Sequence, residues 1–318
     1  MAVTTIAIPR DLVPDQLIPF SIALRDTELA DGYVLDFTRV GLTEPFGMLF
    51  LAALIRQFAR DRRTRQGREI SIRVSNYKSK TYASFMGLFK SFGLDYGKEP
   101  GEASGSRTYI PLTRLAISVI SRDAREEHRR DQEIIEQESK RIADILTRND
   151  DGPVTEALAY SICELMRNVV EHGSASHIWY AAQYWPSKGR VEFSILDEGV
   201  GLTRSLKRNP KLVVTDDEDA INQALKPGVS GIPKRRRVYD GDWANSGYGL
   251  YMTSSMCQQA GDFLICNYSR ALQLSAEGRS ILVSAFDGVA VRMVLEIERI
   301  QDLNDMLKKY RAAVGKPQ

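Results

Sequence analysis

The sequence predicts a mixed α/β protein made of two layered α+β units, each a two-layer sandwich of sheet and helices. Two observations carry this. Strand and helix patterns alternate along residues 1–112, and that order implies an α/β layer. Residues 151–300 then read as a helix, two strands, a long polar stretch, a second helix and two more strands. The length of 318 residues is enough for two domains of ordinary size.

In the first unit, "GYVLDFTRV" (32–40) is rich in β-branched and aromatic residues and reads as a strand. "EPFGMLFLAALIRQFARDRR" (44–63) has apolar residues at helical spacing, with Pro45 near its start. "REISIRV" (68–74) alternates with period two, as a half-buried strand does. "YASFMGLFKSFGLDYG" (82–97) reads as one amphipathic helix, and "EASGSRTY" (102–109) as a polar break. A charged helix follows over 121–150, with Ile134, Ile135, Ile142, Ile145 and Leu146 on one stripe. The stripe either lies against one domain or pairs with a second copy. These patterns divide the chain into 1–112, a charged connecting helix at 113–138, a second domain at 139–302 and a tail at 303–318.

In the second domain, "VTEALAYSICELMRNVVEHG" is helical, and "HIWYAAQYW", "RVEFSILD", "DFLICNYS" and "VAVRMVLEIE" are strands. Residues 203–245 are the polar stretch, and "NSGYGLYMTSSMCQQAG" opens a helix.

Composition excludes several classes. Hydrophobic residues make up 43% and charged residues 26%, the range of a soluble globular protein. A net charge of +2 makes no case for a nucleic acid or membrane partner. The longest apolar run, "GMLFLAALI" (47–55), is far short of the ~20 residues of a membrane span. The N-terminus has no basic segment followed by a long apolar one, so no secretory signal is expected. Cys163, Cys257 and Cys266 are too few and scattered for a disulfide framework, which fits a reducing cytoplasm. His128, His172 and His177 form no metal-ligand spacing.

Three motifs carry chemistry. Glu164 and Asn168 are four apart in "ELMRN" and share a helix face, with Leu158, Ile162, Leu165 and Val169 packing inward. A carboxylate beside a carboxamide can hold a water and a hard cation such as Mg²⁺. Such pairs are also common on ordinary helices. Next, "DEGVG" (197–201) ends a strand in Asp197 and passes to Gly199 and Gly201. The carboxylate can accept a hydrogen bond from an exocyclic amine, and the glycines let backbone approach a planar ring. A simple turn would look the same. Last, "NSGYGLY" (245–251) sets Gly247 and Gly249 before a helix, where N–H groups and the helix dipole favour phosphate. It matches neither the Rossmann fingerprint nor the P-loop.

In this order, the motifs resemble the ATP-binding domain shared by DNA gyrase, heat-shock chaperone ATPases, histidine kinases and the mismatch-repair ATPase. This is the Bergerat, or GHKL, fold, and the likeness covers roughly 139–300. "ELMRNVVEHG" is most similar to the version in anti-sigma-factor serine kinases. The resemblance implies roles. Glu164 would activate water and Asn168 would ligate Mg²⁺. Asp197 would read adenine, with Gly199 and Gly201 beneath the nucleotide. Gly247 and Gly249 would form the phosphate loop, flanked by Asn245, Tyr248 and Leu250, and His172 would join the nucleotide contacts. The stretch 203–245 would be a lid over ATP. Its run Lys234, Arg235, Arg236, Arg237 either meets phosphate, is plain solvated loop, or is a nucleic-acid patch by accident of composition. Val289 stands in "DGVAV" where many members have threonine, and His128 is followed by Arg129 rather than by the acid of a histidine-kinase phosphoacceptor.

Residues 30–97 resemble the STAS fold of anti-sigma-factor antagonists. There a serine before the glycine takes a phosphate. Here Phe46 precedes Gly47 and Thr43 is the nearest hydroxyl, so that chemistry does not carry over. An aromatic there suits packing against another surface.

The expected function is that of a cytoplasmic Mg²⁺-dependent ATP-binding protein and slow ATPase. Its lid closure would switch contact with the STAS-like domain or a partner protein. A protein serine/threonine kinase acting in trans is the first alternative. A nucleotide-gated scaffold without turnover is the second.

Overall fold

The computed structural model describes residues 2–104, 106–126, 131–148, 152–231 and 247–301. The fold is mixed α/β. The chain opens with β1 (Val3–Ala7), α1 (Pro14–Arg25), β2 (Gly32–Asp36), α2 (Pro45–Gln66) and β3 (Ser71–Ser75). The strands pair in parallel in the order β1-β2-β3, and α1 and α2 are the crossovers that parallel strands need. Pro14 and Pro45 start their helices, where a missing N–H costs least. The strand expected over 32–40 stops at Asp36, whose carboxylate accepts from Thr38 and Asn76 and turns the chain. The helix expected over 82–97 is two short ones, α3 (Thr81–Phe85) and α4 (Leu88–Ser91). Gly87 between them sits at φ +89°, which an α-helix cannot pass through.

Next come β4 (Tyr109–Ala116), α5 (Ile117–Glu126), α6 (Asp131–Thr147), α7 (Pro153–Asn168), β5 (His177–Trp185) and β6 (Arg190–Asp197). The chain continues with α8 (Gly201–Leu206), α9 (Asp217–Ala224), α10 (Gly249–Ala260), β7 (Gly261–Ser275), β8 (Gly278–Glu296) and α11 (Ile297–Gln301). Five antiparallel strands form a second sheet in the order β4-β5-β6-β8-β7. The boundary expected at 112 falls inside β4, which pairs with β5 from Ala116↔His177 to Tyr109↔Gln183. The charged helix is α5 and α6, and its stripe is not spare. Ile135, Ile142 and Leu146 are buried against α7, so they are not open to a second copy. The strand expected over 262–269 runs on to Ser275, the one expected over 289–298 starts already at Gly278 and stops at Glu296, and the two join in a hairpin at 276–277. The tail at 303–318 lies outside the described residues.

Period-two alternation puts each strand of the second sheet into two cores. On β5, Trp179 and Ala181 face one core, while Ile178, Tyr180 and Ala182 face the other. The first core is filled by α1, α2 and the parallel sheet, with Phe46, Phe50 and Phe286 stacked at 5.0 and 4.8 Å. The second is filled by α6, α7 and α10. The layers therefore run parallel sheet, α1 and α2, antiparallel sheet, then α6, α7 and α10. Phe46 is buried in the first core against the antiparallel sheet, the other surface its aromatic character suggests.

One polar cluster sits in the first core. Glu192, fully buried on β6, accepts from the Phe46 backbone N–H at 2.8 Å and from Arg292 Nε at 3.0 Å. Arg292 also reaches Glu44 at 3.0 Å and Asp262 at 3.1 Å, and Arg190 reaches Glu44 at 3.0 Å. Buried charges persist only when paired in this way. Cys163, Cys257 and Cys266 are all unpaired thiols. Among the described residues, no helix is long and apolar enough to cross a membrane.

Candidate functional site

A single cavity gathers residues from all three motifs. Glu164 and Asn168 line it from successive turns of α7, whose Leu158 and Ile162 are packed into the second core. Beyond Asn168 the helix widens into a π turn over Val169–Gly173. Such turns often mark functional positions, and this one brings His172 and Gly173 to the same cavity. Asp197 enters from the end of β6, and Gly201 and Leu202 from the start of α8. Gly247, Gly249 and Leu250 enter from the α10 N-terminus. Ile265, Val289 and Val291 form an apolar floor. Val289 is the register partner of Asp197, so an isopropyl group stands there in place of a hydroxyl.

Glu164 is 9% exposed. One carboxylate oxygen accepts from Arg167 at 3.0 Å, and Arg167 also reaches Glu171 at 3.4 Å. Burial raises the Glu164 pKa, and the Arg167 charge opposes that rise. The other oxygen faces the first turn of α10. A Cβ at Gly249 would collide with it, so only glycine lets the helix start so close. The helix dipole there favours negative charge. Asn168 continues the same α7 edge toward the π turn.

Asp197 is 2% exposed. Burial pushes its pKa up to about 7, with the neighbouring Glu198 charge adding and the Gly199 N–H opposing. That N–H donates to Asp197 Oδ1 at 2.8 Å. Gly199 does not line the cavity. It packs against the Gly173 carbonyl, where a Cβ has no room, so it shapes the turn rather than the floor. Tyr248 likewise stands outside the lining, as the residue capping α10.

The first half of the expected lid is not an open loop. Residues 203–231 contain α8 and α9 around their own small core of Leu206, Val214, Ala220 and Ala224. Asp216 caps α9 by accepting from Asp219 N–H at 2.9 Å. Ser205 and Val229–Gly231 contribute to the cavity wall. Asn245, His128 and the run Lys234–Arg237 lie outside the described residues.

Two contributors go beyond the residues singled out above. Arg167 stands three residues after Glu164, and that spacing is a readable ion-pair signal on a helix. Asn267, on β7, accepts from Leu202 N–H at 2.9 Å and donates to Thr203 at 3.1 Å, fixing the start of α8. Its partners are 64 and 65 residues away, so no local pattern announces it.

The arrangement brings two buried carboxylates and a carboxamide to one cavity with an apolar wall. No family model matches this chain, and no curated protein matches it.

Proposed function

We propose that this protein binds Mg²⁺-ATP in the α7–β6–α10 cavity and hydrolyses it slowly, as a member of the GHKL group with a STAS-like N-terminal unit. The observation that supports this most is the meeting of Glu164, Asn168, Asp197 and Gly249 in one cavity. They come from motifs spread over more than eighty residues of sequence.

Each residue has work suited to its surroundings. Asp197 accepts from an exocyclic amine at the apolar end, where Val289 and Ile265 flank a planar base. The α10 N-terminus and the Gly247–Gly249 turn offer the positive pole of a helix to phosphate oxygens. Asn168 fits Mg²⁺, which takes one or two protein oxygens and shares the rest with phosphate and water, with Glu164 beside it. When bound, the cation would neutralise charge on the phosphates. Glu164 orients the attacking water and takes its proton. Its burial raises its basicity, and Arg167 keeps it aimed.

The test uses γ-labelled ATP with Mg²⁺ on wild type and Glu164→Ala, following free phosphate and protein-bound label. Glu164-dependent free phosphate is the expected result. Label on protein, its own or an added partner's, would make the chain a kinase instead. ATP bound with neither product would leave a nucleotide-gated scaffold and remove Glu164 from catalysis.

A further inference from the structure

The helix α2 belongs to the N-terminal unit, yet it grips both flanks of Asp197. Glu198, next in the chain, turns away from the cavity and toward α2. Its carboxylate accepts from Arg56 Nε at 3.0 Å, and Arg60 lies 3.7 Å from its other oxygen. Arg56 is itself fixed. It donates to the Ser91 carbonyl at 2.9 Å and its guanidinium stacks over Trp179 at 4.2 Å. On the opposite flank, Gln57 donates to the Asp287 carbonyl at 2.9 Å and accepts from the Asp287 N–H at 3.0 Å. That pair anchors the residue before Gly288, and Gly288 lies so close to Asp197 that a Cβ would strike the Asp197 carbonyl oxygen. Val289 follows and pairs with Asp197 across the sheet.

Asp197 therefore has little freedom of its own. Its Oδ1 bond to Gly199 depends on where the 198–199 backbone sits, and its strand neighbour depends on where 287–288 sits. Both positions are set by consecutive residues of one rigid helix. That helix is anchored at its start by the Phe46–Glu192 bond and further along by the buried Arg62, which donates to the carbonyls of Leu24, Arg25 and Thr27. A binding group needs support of this kind, because errors of half an ångström in its placement weaken recognition.

We infer that Arg56 and Gln57 are positioning residues, holding the turn that carries Asp197 in the geometry its base-binding role requires. The inference rests on the nucleotide reading for its consequence, selection of adenine, but not for the hold itself. The N-terminal unit is then part of the binding site's support, and nucleotide selectivity is a property of the whole chain.

The test compares wild type, Arg56→Gln and Gln57→Ala with a control, Arg190→Gln. The control weakens another contact between the same unit and the sheet, at Glu44 and Glu192, away from the turn. Two readouts are taken on the full chain. Hydrogen exchange at Gly199 and Val200, whose amides are bonded to Asp197 and to the Gly173 carbonyl, reports the turn without nucleotide. Competition of ATP and GTP against a fluorescent adenine nucleotide reports selectivity. Arg56→Gln and Gln57→Ala are expected to speed exchange at both amides and narrow the ATP-to-GTP ratio by about tenfold, the usual scale for losing an orienting partner. Arg190→Gln is expected to change neither. Unchanged exchange in the α2 variants, or equal changes in the control, overturns the inference. Faster exchange in a protein whose wild type binds no nucleotide upholds the hold of α2 and overturns the nucleotide reading instead. Should Arg56→Gln not fold, Arg56→Lys keeps the charge and loses the planar stack on Trp179, and it is expected to shift both readouts the same way.

Discussion

Asp197 combines near-complete burial with a single backbone hydrogen bond, and that imbalance has a measurable sign. Its pKa is about 7 in the folded chain and near the ordinary carboxylate value when unfolded. Between those values the folded state holds a proton that the unfolded state has lost. Stability contributed by this group is therefore full below about pH 4 and declines as pH rises toward 7, by up to about 1.4 kcal/mol per unit. Asp197→Asn, which keeps an acceptor for the Gly199 N–H, should raise the Tm of the nucleotide-free protein at pH 8 and change it little at pH 4. A Tm gain of the same size at both values would contradict this. An amine donating to Asp197 favours the anion, so adenine-nucleotide binding should release a proton near pH 7. Calorimetry in buffers of different ionisation enthalpy reads that proton, and Asp197→Asn should abolish it. Glu164 gives a second prediction: Glu164→Gln should cut phosphate release by about 10²–10⁴-fold while ATP affinity stays within severalfold. Gly249→Ala should weaken nucleotide binding, because its methyl meets the Glu164 carboxylate.

At the scale of elements, the polar cluster between α2 and the antiparallel sheet carries the clearest stability prediction. Arg292 serves Glu192, Glu44 and Asp262 at once. Arg292→Ala leaves fully buried Glu192 short of a partner and should cost about 3–5 kcal/mol in chemical denaturation, the range for a broken buried pair. A loss under 1 kcal/mol would mean that water takes its place. This cluster was not legible in the sequence, where Glu44, Glu192, Asp262 and Arg292 lie in separate elements with no shared period. What was legible had local causes. The alternating strands β5 and β6, the apolar run of α2 and the glycine-opened α10 all follow from spacing within one element. The failures have local causes too. Gly87 breaks a helix whose apolar spacing continues across it. The sequence reading leaves 270–288 without an element, although Leu272, Leu274, Ile281 and Val283 alternate there, because the polar turn at 275–280 interrupts the pattern. The first half of the lid reads as polar stretch because α9 is only eight residues long and buries just Ala220, Ile221 and Ala224.

At the scale of the molecule, the two units share a core, which limits how far either can act alone. A fragment holding only 107–301 would expose Trp179, Leu264 and Phe286 from the sheet face that α1 and α2 cover. Exposed apolar area of that kind drives association, so the fragment should bind a hydrophobic dye and self-associate in size-exclusion chromatography. A monomeric, dye-free fragment would show that the N-terminal unit is a separable domain. The candidate site was legible at this scale because its motifs come in a fixed order, and the Glu164–Arg167 spacing is local to one helix, while its support by Asn267 and α2 was not, because those contacts depend on the finished fold. The central claim is that Glu164, Asn168, Asp197 and Gly249 form one Mg²⁺-ATP site. Titration calorimetry of Mg²⁺-ATP into wild type, Asn168→Ala and Asp197→Ala tests it most directly. Wild type should bind, and Asp197→Ala should lose about 10–100-fold in affinity, the worth of one hydrogen bond to a charged group. Asn168→Ala should show a similar loss that disappears when Mg²⁺ is withheld. ATP affinity unchanged in both variants would contradict the claim.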